Sequence, residues 1–167
     1  MKYLKQKKSN LYLLNCNRFT FLGIAIALGV LLNIILSLTL NYLFGASLGD
    51  ENESANFLTS TGTYILIIFL APLIETGIFQ YLLIVLPLKY ILPFKKLNIY
   101  LLTLSSSFLF ALIHTYSIHY FVIAFLMGIY LGGLTIISEF LRNKKVTIFV
   151  SVFLTHSIVN FIAVLLD

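Results

Sequence analysis

The run YILIIFLAPLIETGIFQYLLIVL, residues 64–86, carries a single charged side chain, Glu75, among its 23 residues. A transmembrane helix needs about 20 consecutive, mostly apolar residues. Length and composition therefore assign this run to a helix that crosses a bilayer. Glu75 lies eleven residues from each end, which is mid-depth at about 1.5 Å per residue. An acidic side chain at the centre of a span is costly, about 2.5–3.5 kcal/mol for Asp on the insertion scale, and is by default a functional candidate. One stretch thus sets both the solvent of the fold and the first residue of its chemistry.

Four further runs have the same character: Phe19 to Leu43, Tyr100 to Ser117, Tyr120 to Ile137 and Val146 to Leu166. They explain the composition of the 167-residue chain, which is 60% hydrophobic and only 10% charged, with a mean hydropathy of +1.01. A soluble domain has roughly 45–50% apolar and about 25% charged residues. The expectation is an all-α, polytopic helix bundle of about five transmembrane helices, forming one membrane domain over residues 1–167, with the lipid bilayer as part of its solvent. The basic start followed by an apolar run raises the question of a cleaved signal. The run is too long for a signal core, and no small-x-small cleavage site follows it, so it reads as a retained first span.

The charges test the span count. Lys2, Lys5, Lys7, Lys8 and Arg18 precede the first span, Lys89, Lys95 and Lys96 follow the second, and Arg142, Lys144 and Lys145 follow the fourth. With five spans all eleven basic residues fall on one side, and Asp50, Glu51, Glu53 and Asp167 fall on the other. Positively charged loops stay in the cytoplasm, which puts the N-terminus inside and the C-terminus outside. The net charge of +5 is thus a topology signal, and no nucleic-acid partner is expected. Residues Asn41 to Thr63, polar and acidic, read as an external loop, and Pro87 and Pro93 bracket a short internal one. Cys16 has no internal partner for a disulfide. No internal repeat supports a two-fold transporter architecture.

Polar residues inside the spans are few. The second span holds Glu75, Thr76 and Gln80, the third Ser105, Ser106, Ser107 and His114, and the fifth His156 and Asn160. At about 1.5 Å per residue, His156 lies about 15 Å and His114 about 21 Å from the basic side. A helix tilt of about 20° absorbs that difference, so one carboxylate and two imidazoles can converge at one level. His156 and Asn160, four residues apart, share a helix face. Ser105 to Ser107, Gly128, Gly132 and Gly133 read as small residues for close helix packing. His119 reads as a water-reached boundary residue, Glu139 as a solvated end residue, and the tyrosines as interfacial anchors.

The order of these residues resembles the CPBP family of intramembrane endopeptidases, which includes the CAAX prenyl endopeptidases and bacterial Abi-type proteins. The family's first motif, a proline followed by Glu-Glu and then Phe-Arg, is matched by Pro72-Leu73-Ile74-Glu75-Thr76-Gly77-Ile78-Phe79-Gln80. The second, Phe-x-x-x-His, is matched by Phe110 to His114, and a glycine-spaced span by Phe125 to Gly132. The third, His-x-x-x-Asn, is matched by His156 to Asn160. The resemblance covers about residues 63–161 and leaves out the extra first span at about 19–43. Thr76 stands where the family has its second glutamate, and Gln80 where it has arginine. The exchange removes a buried charge pair without orphaning either partner, and leaves two groups that can hydrogen-bond each other or a neighbouring helix.

The resemblance implies a multi-pass membrane protein that hydrolyses a peptide or membrane-protein substrate, and the Lys, Asn, Ile, Leu and Tyr bias of the chain fits a bacterial cytoplasmic membrane. Glu75 is then the general base for water, His114 helps to hold that water, and His156 and Asn160 donate to the developing oxyanion, with Thr76, Gln80 and Phe110 in support. No cofactor is required in this form. A zinc-dependent form with Glu75, His114 and His156 as ligands is the alternative within the same reaction. A non-catalytic binding or immunity protein on the same scaffold is the alternative from another class, favoured by Thr76 and Gln80. A proton-coupled carrier using Glu75 is a third, disfavoured by the absence of repeats.

Overall fold

The computed structural model describes residues 15–44, 61–114, 117–141 and 147–166. Most of the expected external loop, the acidic residues Asp50, Glu51, Glu53 and Asp167, and the basic residues Lys2, Lys5, Lys7, Lys8, Arg142, Lys144 and Lys145 lie outside the described residues. The architecture is the expected all-α bundle, without a strand among the described residues. Its helices are α1 (Arg18–Phe44), α2 (Gly62–Ile91), α3 (Lys96–Leu112), α4 (Ile118–Leu141) and α5 (Ile148–Leu166).

Four of them, α1, α2, α4 and α5, are long and apolar enough to cross a membrane. Their outward faces are apolar as well: Leu31, Ile35 and Leu38 of α1 and Ile74, Ile78 and Leu82 of α2 are exposed. A surface of this kind matches lipid and not water, and marks a membrane protein. The third helix differs from expectation. It starts at Lys96 and ends at Leu112, 17 residues in all, so it rises about 25 Å where the hydrocarbon core is about 30 Å thick. His114 consequently lies beyond the helix, in the turn toward α4.

Packing places the first helix against the last two. The Tyr130 hydroxyl of α4 donates to the Ala25 carbonyl of α1. Gly29 of α1 lets Tyr130, Thr155 and Val159 approach so closely that a Cβ there would meet them at 3.1–3.2 Å. Phe21 and Ala25 share a buried cluster with Val85, Leu131, Leu134, Ile148 and Val152. The start of α1 is capped by Asn17, whose Oδ1 accepts from the Thr20 N–H at 2.8 Å. Ser117 caps α4 in the same way, accepting from the Tyr120 N–H at 3.1 Å.

The glycines of α4 mostly serve the packing expected of them. A Cβ at Gly128 would lie 3.0 Å from the Ser107 Cα, and one at Gly132 would lie 2.7 Å from a Thr103 methyl. Gly133 is a correction: it faces no neighbour within 4 Å and borders an apolar groove of about 200 Å³ between α1 and α4. Ser105 is a second, because it is exposed on the outer face of α3 while Ser106 and Ser107 are buried. Glu139 is a third. Its carboxylate is paired with Lys89 at 3.1 Å and accepts the Ile148 N–H at 3.3 Å. It thereby satisfies one of the orphan donors at the start of α5 and ties three helix ends together. Among the described residues, all the basic side chains, Arg18, Lys89, Lys95 and Lys96, lie at this end of the bundle.

Candidate active site

The second helix is not a regular α-helix. Hydrogen bonds widen to the i→i+5 pattern over Leu66–Leu70, Thr76–Val85 and Pro87–Ile91, with one α-helical segment, Ala71–Glu75, between the first two. Prolines start two of these changes of register. Pro72 and Pro87 have no N–H to give, so each leaves a carbonyl one turn earlier without its helical partner. Widened stretches of this kind recur at functional sites. Glu75 stands at the junction where the α-helical segment gives way to the longest wide one.

The consequence of Pro72 can be followed atom by atom. The Ala71 N–H pairs with the Leu66 carbonyl, five residues back. The next donor in that pattern would be residue 72 to Ile67, and proline supplies none. The Ile67 carbonyl instead accepts from Asn160 Nδ2 of α5 at 3.1 Å. Asn160 is therefore committed in part to backbone repair, which its family-like role as an oxyanion donor did not foresee. Its amide carries a second N–H for other use.

Three of the four expected residues are brought together. Glu75 presents Oε1 to His114 Nε2 at 3.7 Å and Oε2 to His156 Nε2 at 3.5 Å. Side chains from α2, from the α3–α4 turn and from α5 thus meet at one depth. All three are largely buried, at 13%, 16% and 7% exposed. Neither spacing closes a direct hydrogen bond, which requires about 2.7–3.2 Å. Catalytic contacts of this length commonly tighten only when substrate is bound.

The position of His114 and the end of α3 have one cause. His114 Nδ1 bonds to the Phe110 carbonyl at 2.7 Å, capping one of the orphan acceptors at the C-terminus of α3. That bond needs the proton on Nδ1, so in the neutral ring Nε2 is a lone pair, and it faces Glu75. Phe110 holds both imidazoles: its ring lies 4.4 Å from His114 and 5.7 Å, edge-on, from His156. Phe110 is itself backed edge-to-face by Phe79 at 5.3 Å. Tyr120, which the sequence did not single out, places its ring 5.6 Å from His114 at a tilt of 42°.

Thr76 and Gln80 are buried in the bundle at 0% and 1% exposed. Of the two arrangements open to them, bonding to each other is not found: Thr76 Oγ1 and Gln80 Oε1 have no protein hydrogen-bond partner. Thr155, next to His156, is in the same condition, and its type and position gave no signal in the sequence. A zinc shell needs its ligands to face one point at about 2.0–2.2 Å. Here the two rings approach different oxygens of the carboxylate, at 3.7 and 3.5 Å. No family model, curated protein or solved structure matches the chain.

Proposed function

We propose that this protein is an intramembrane endopeptidase of the CPBP type, in which Glu75 activates water for attack on a peptide bond. What supports this reading is the Glu75 carboxylate, buried in the bundle with an imidazole against each of its oxygens. Few structural needs would bring one acid and two histidines from three separate elements to one point inside a membrane. In the proposed reaction Glu75 takes the proton of a water held beside His114 Nε2, whose lone pair is fixed by the Phe110 bond. The water oxygen attacks the scissile carbonyl. His156 and the free N–H of Asn160 donate to the oxyanion, where one fixed donor is worth roughly 2.7–4 kcal/mol. Glu75 then returns its proton to the leaving amine.

The basic end faces the cytoplasm in this proposal, by the positive-inside rule. The Lys-, Asn-, Ile-, Leu- and Tyr-rich composition fits a bacterial cytoplasmic membrane. A non-catalytic binding protein is the second reading. It is favoured by Thr76 and Gln80, whose buried, unbonded atoms replace a charged pair that resembling enzymes carry.

The deciding measurement compares new peptide termini in membranes of cells expressing the native chain or Glu75→Gln at equal levels. Termini that depend on Glu75 establish the peptidase; identical sets establish the binding protein. Cleavage that stops with chelator and returns with zinc would replace the metal-free mechanism with the zinc form.

A further inference from the structure

The interface of α2 and α5 contains more buried polar groups than the proposed chemistry uses. Two contacts set the antiparallel register of these helices: Glu75 against His156, and Val85 in one cluster with Ile148 and Val152. Thr76 and Thr155 each lie one residue nearer the basic end than Glu75 and His156, and Gln80 and Ser151 each five residues nearer; the Thr155 methyl also meets Gly29 of α1. Ser151 bonds to Ser138 of α4 at 2.8 Å. Next to Ser138 is Glu139, paired with Lys89, which is 32% exposed at the basic end. Polar side chains thus recur at successive positions along these helices from Glu75 to the basic end.

The upper members of this series have no hydrogen bond to protein. Thr76 Oγ1, Gln80 Oε1, Thr155 Oγ1, His156 Nδ1 and Glu75 Oε2 are all buried without a hydrogen bond, and Thr76, Gln80 and Thr155 are no more than 1% exposed. Lipid cannot satisfy such groups. They combine hydroxyls, which both donate and accept, with carboxylate and amide oxygens that accept and an imidazole nitrogen that does either according to its tautomer. That mixture suits water, which settles in polar interiors where two to four partners surround it.

We propose that Thr76, Gln80 and Thr155 line an internal water-binding seam between α2 and α5, joining the Glu75 carboxylate to the aqueous phase at the Lys89–Glu139 end. The seam gives Glu75 a route for water and protons from the basic side, through a region otherwise closed by Val85, Leu131 and Val152, all 0% exposed. It stands whether or not the protein is a peptidase.

The test uses the full chain in lipid nanodiscs with Cys16→Ala as background. Single substitutions Gln80→Cys and Thr155→Cys are compared with Val85→Cys and Leu131→Cys, and the reaction with methyl methanethiosulfonate is followed by intact mass. A thiol in dry apolar surroundings stays protonated and inert, whereas a hydrated one ionises. Modification at positions 80 and 155 should be at least about tenfold faster than at 85 and 131; equal rates overturn the seam. Thr155→Val provides a second readout that needs no thiol. A lower Tm is expected, because a water-bonded hydroxyl is lost, whereas a dry, unbonded hydroxyl replaced by a methyl group of the same shape would raise Tm. A raised Tm overturns the seam as well. Neither readout involves peptide cleavage, so failure of the peptidase reading leaves a separate record.

Discussion

Two helix pairs in this bundle are built from the same kinds of residue and put them to opposite use. Where α3 meets α4, Ser107 donates to the Thr103 carbonyl at 2.7 Å, and Gly128 and Gly132 of α4 press against Ser107 and Thr103; the neighbouring Ser106 is satisfied as well, donating at 2.6 Å to the Phe79 carbonyl of α2. Where α2 meets α5, the hydroxyls of Thr76 and Thr155 and the amide oxygen of Gln80 have none, and the backbone of α2 is widened around Glu75. Polarity inside a membrane protein is therefore not the signal of function by itself. What separates the two pairs is whether the polar atoms are already satisfied by protein.

The comparison breaks most directly at Glu75. Glu75→Gln keeps the size and the buried position but removes the base. The expected loss of cleavage is about 10²–10⁴-fold, the usual contribution of a general base, with no loss of folded protein on thermal unfolding in detergent. If this substitution unfolded the protein instead, α2 and α5 would be held together by the carboxylate, and the contrast with α3 and α4 would collapse.

The packed pair should respond in the opposite way. Gly128→Val places side-chain carbon within 3.0 Å of the Ser107 backbone, where nothing can rotate away. Overpacking of this kind costs about 1–3 kcal/mol, read as a lowered unfolding midpoint. At temperatures where the variant is still folded, cleavage should be affected far less than by Glu75→Gln.

Much of this division could be anticipated, and the parts that could not have specific causes. Apolar run length exposed the helices, and depth arithmetic brought Glu75, His114 and His156 to one level, because a rise per residue is the same whatever the side chain. The end of α3 was not legible, since the apolar run continues through Ile113, and what stops the helix is the turn of the His114 N–H to the Ala111 carbonyl at 2.9 Å together with the His114–Phe110 bond. Asn160 was legible as a residue on the face of His156, but not as the partner of Ile67. That contact follows from a wide-helix register set by Pro72, and periodicity does not report register changes. Glu139 looked like a solvated end because its partners Lys89 and Ile148 lie on other helices, beyond the reach of any local pattern.

The Pro72–Ile67–Asn160 relation sharpens the comparison, because it asks how much of the α2–α5 pair is structural. Asn160→Ala should lose about 0.5–1.5 kcal/mol of stability, the net worth of a hydrogen bond. In a Pro72→Ala background the chain gains an N–H that can serve the Ile67 carbonyl itself, so the same Asn160 substitution should cost measurably less. A double-mutant cycle in detergent reads the difference. Additive effects would detach Asn160 from the backbone of α2 and return it wholly to the chemistry of the site.

The smallest effects separate three consecutive serines. Ser106 bonds across to another helix, Ser107 bonds back to its own helix, and Ser105 faces outward. Alanine at Ser106 removes an interhelical bond, worth about 0.6 kcal/mol on average inside membranes. Alanine at Ser107 removes a bond to a carbonyl four residues back that the helix already engages, and such back-bonding is slightly destabilising to a helix; the cost should be near zero or negative. Alanine at Ser105 should change nothing, since lipid replaces the hydroxyl's surroundings. A lowered unfolding midpoint confined to Ser106 thus tests whether the satisfied hydroxyls of α3 matter only when they cross to another helix. An equal loss at Ser106 and Ser107 would mean that filling the buried space, and not the helix to which the hydroxyl bonds, determines what these side chains contribute.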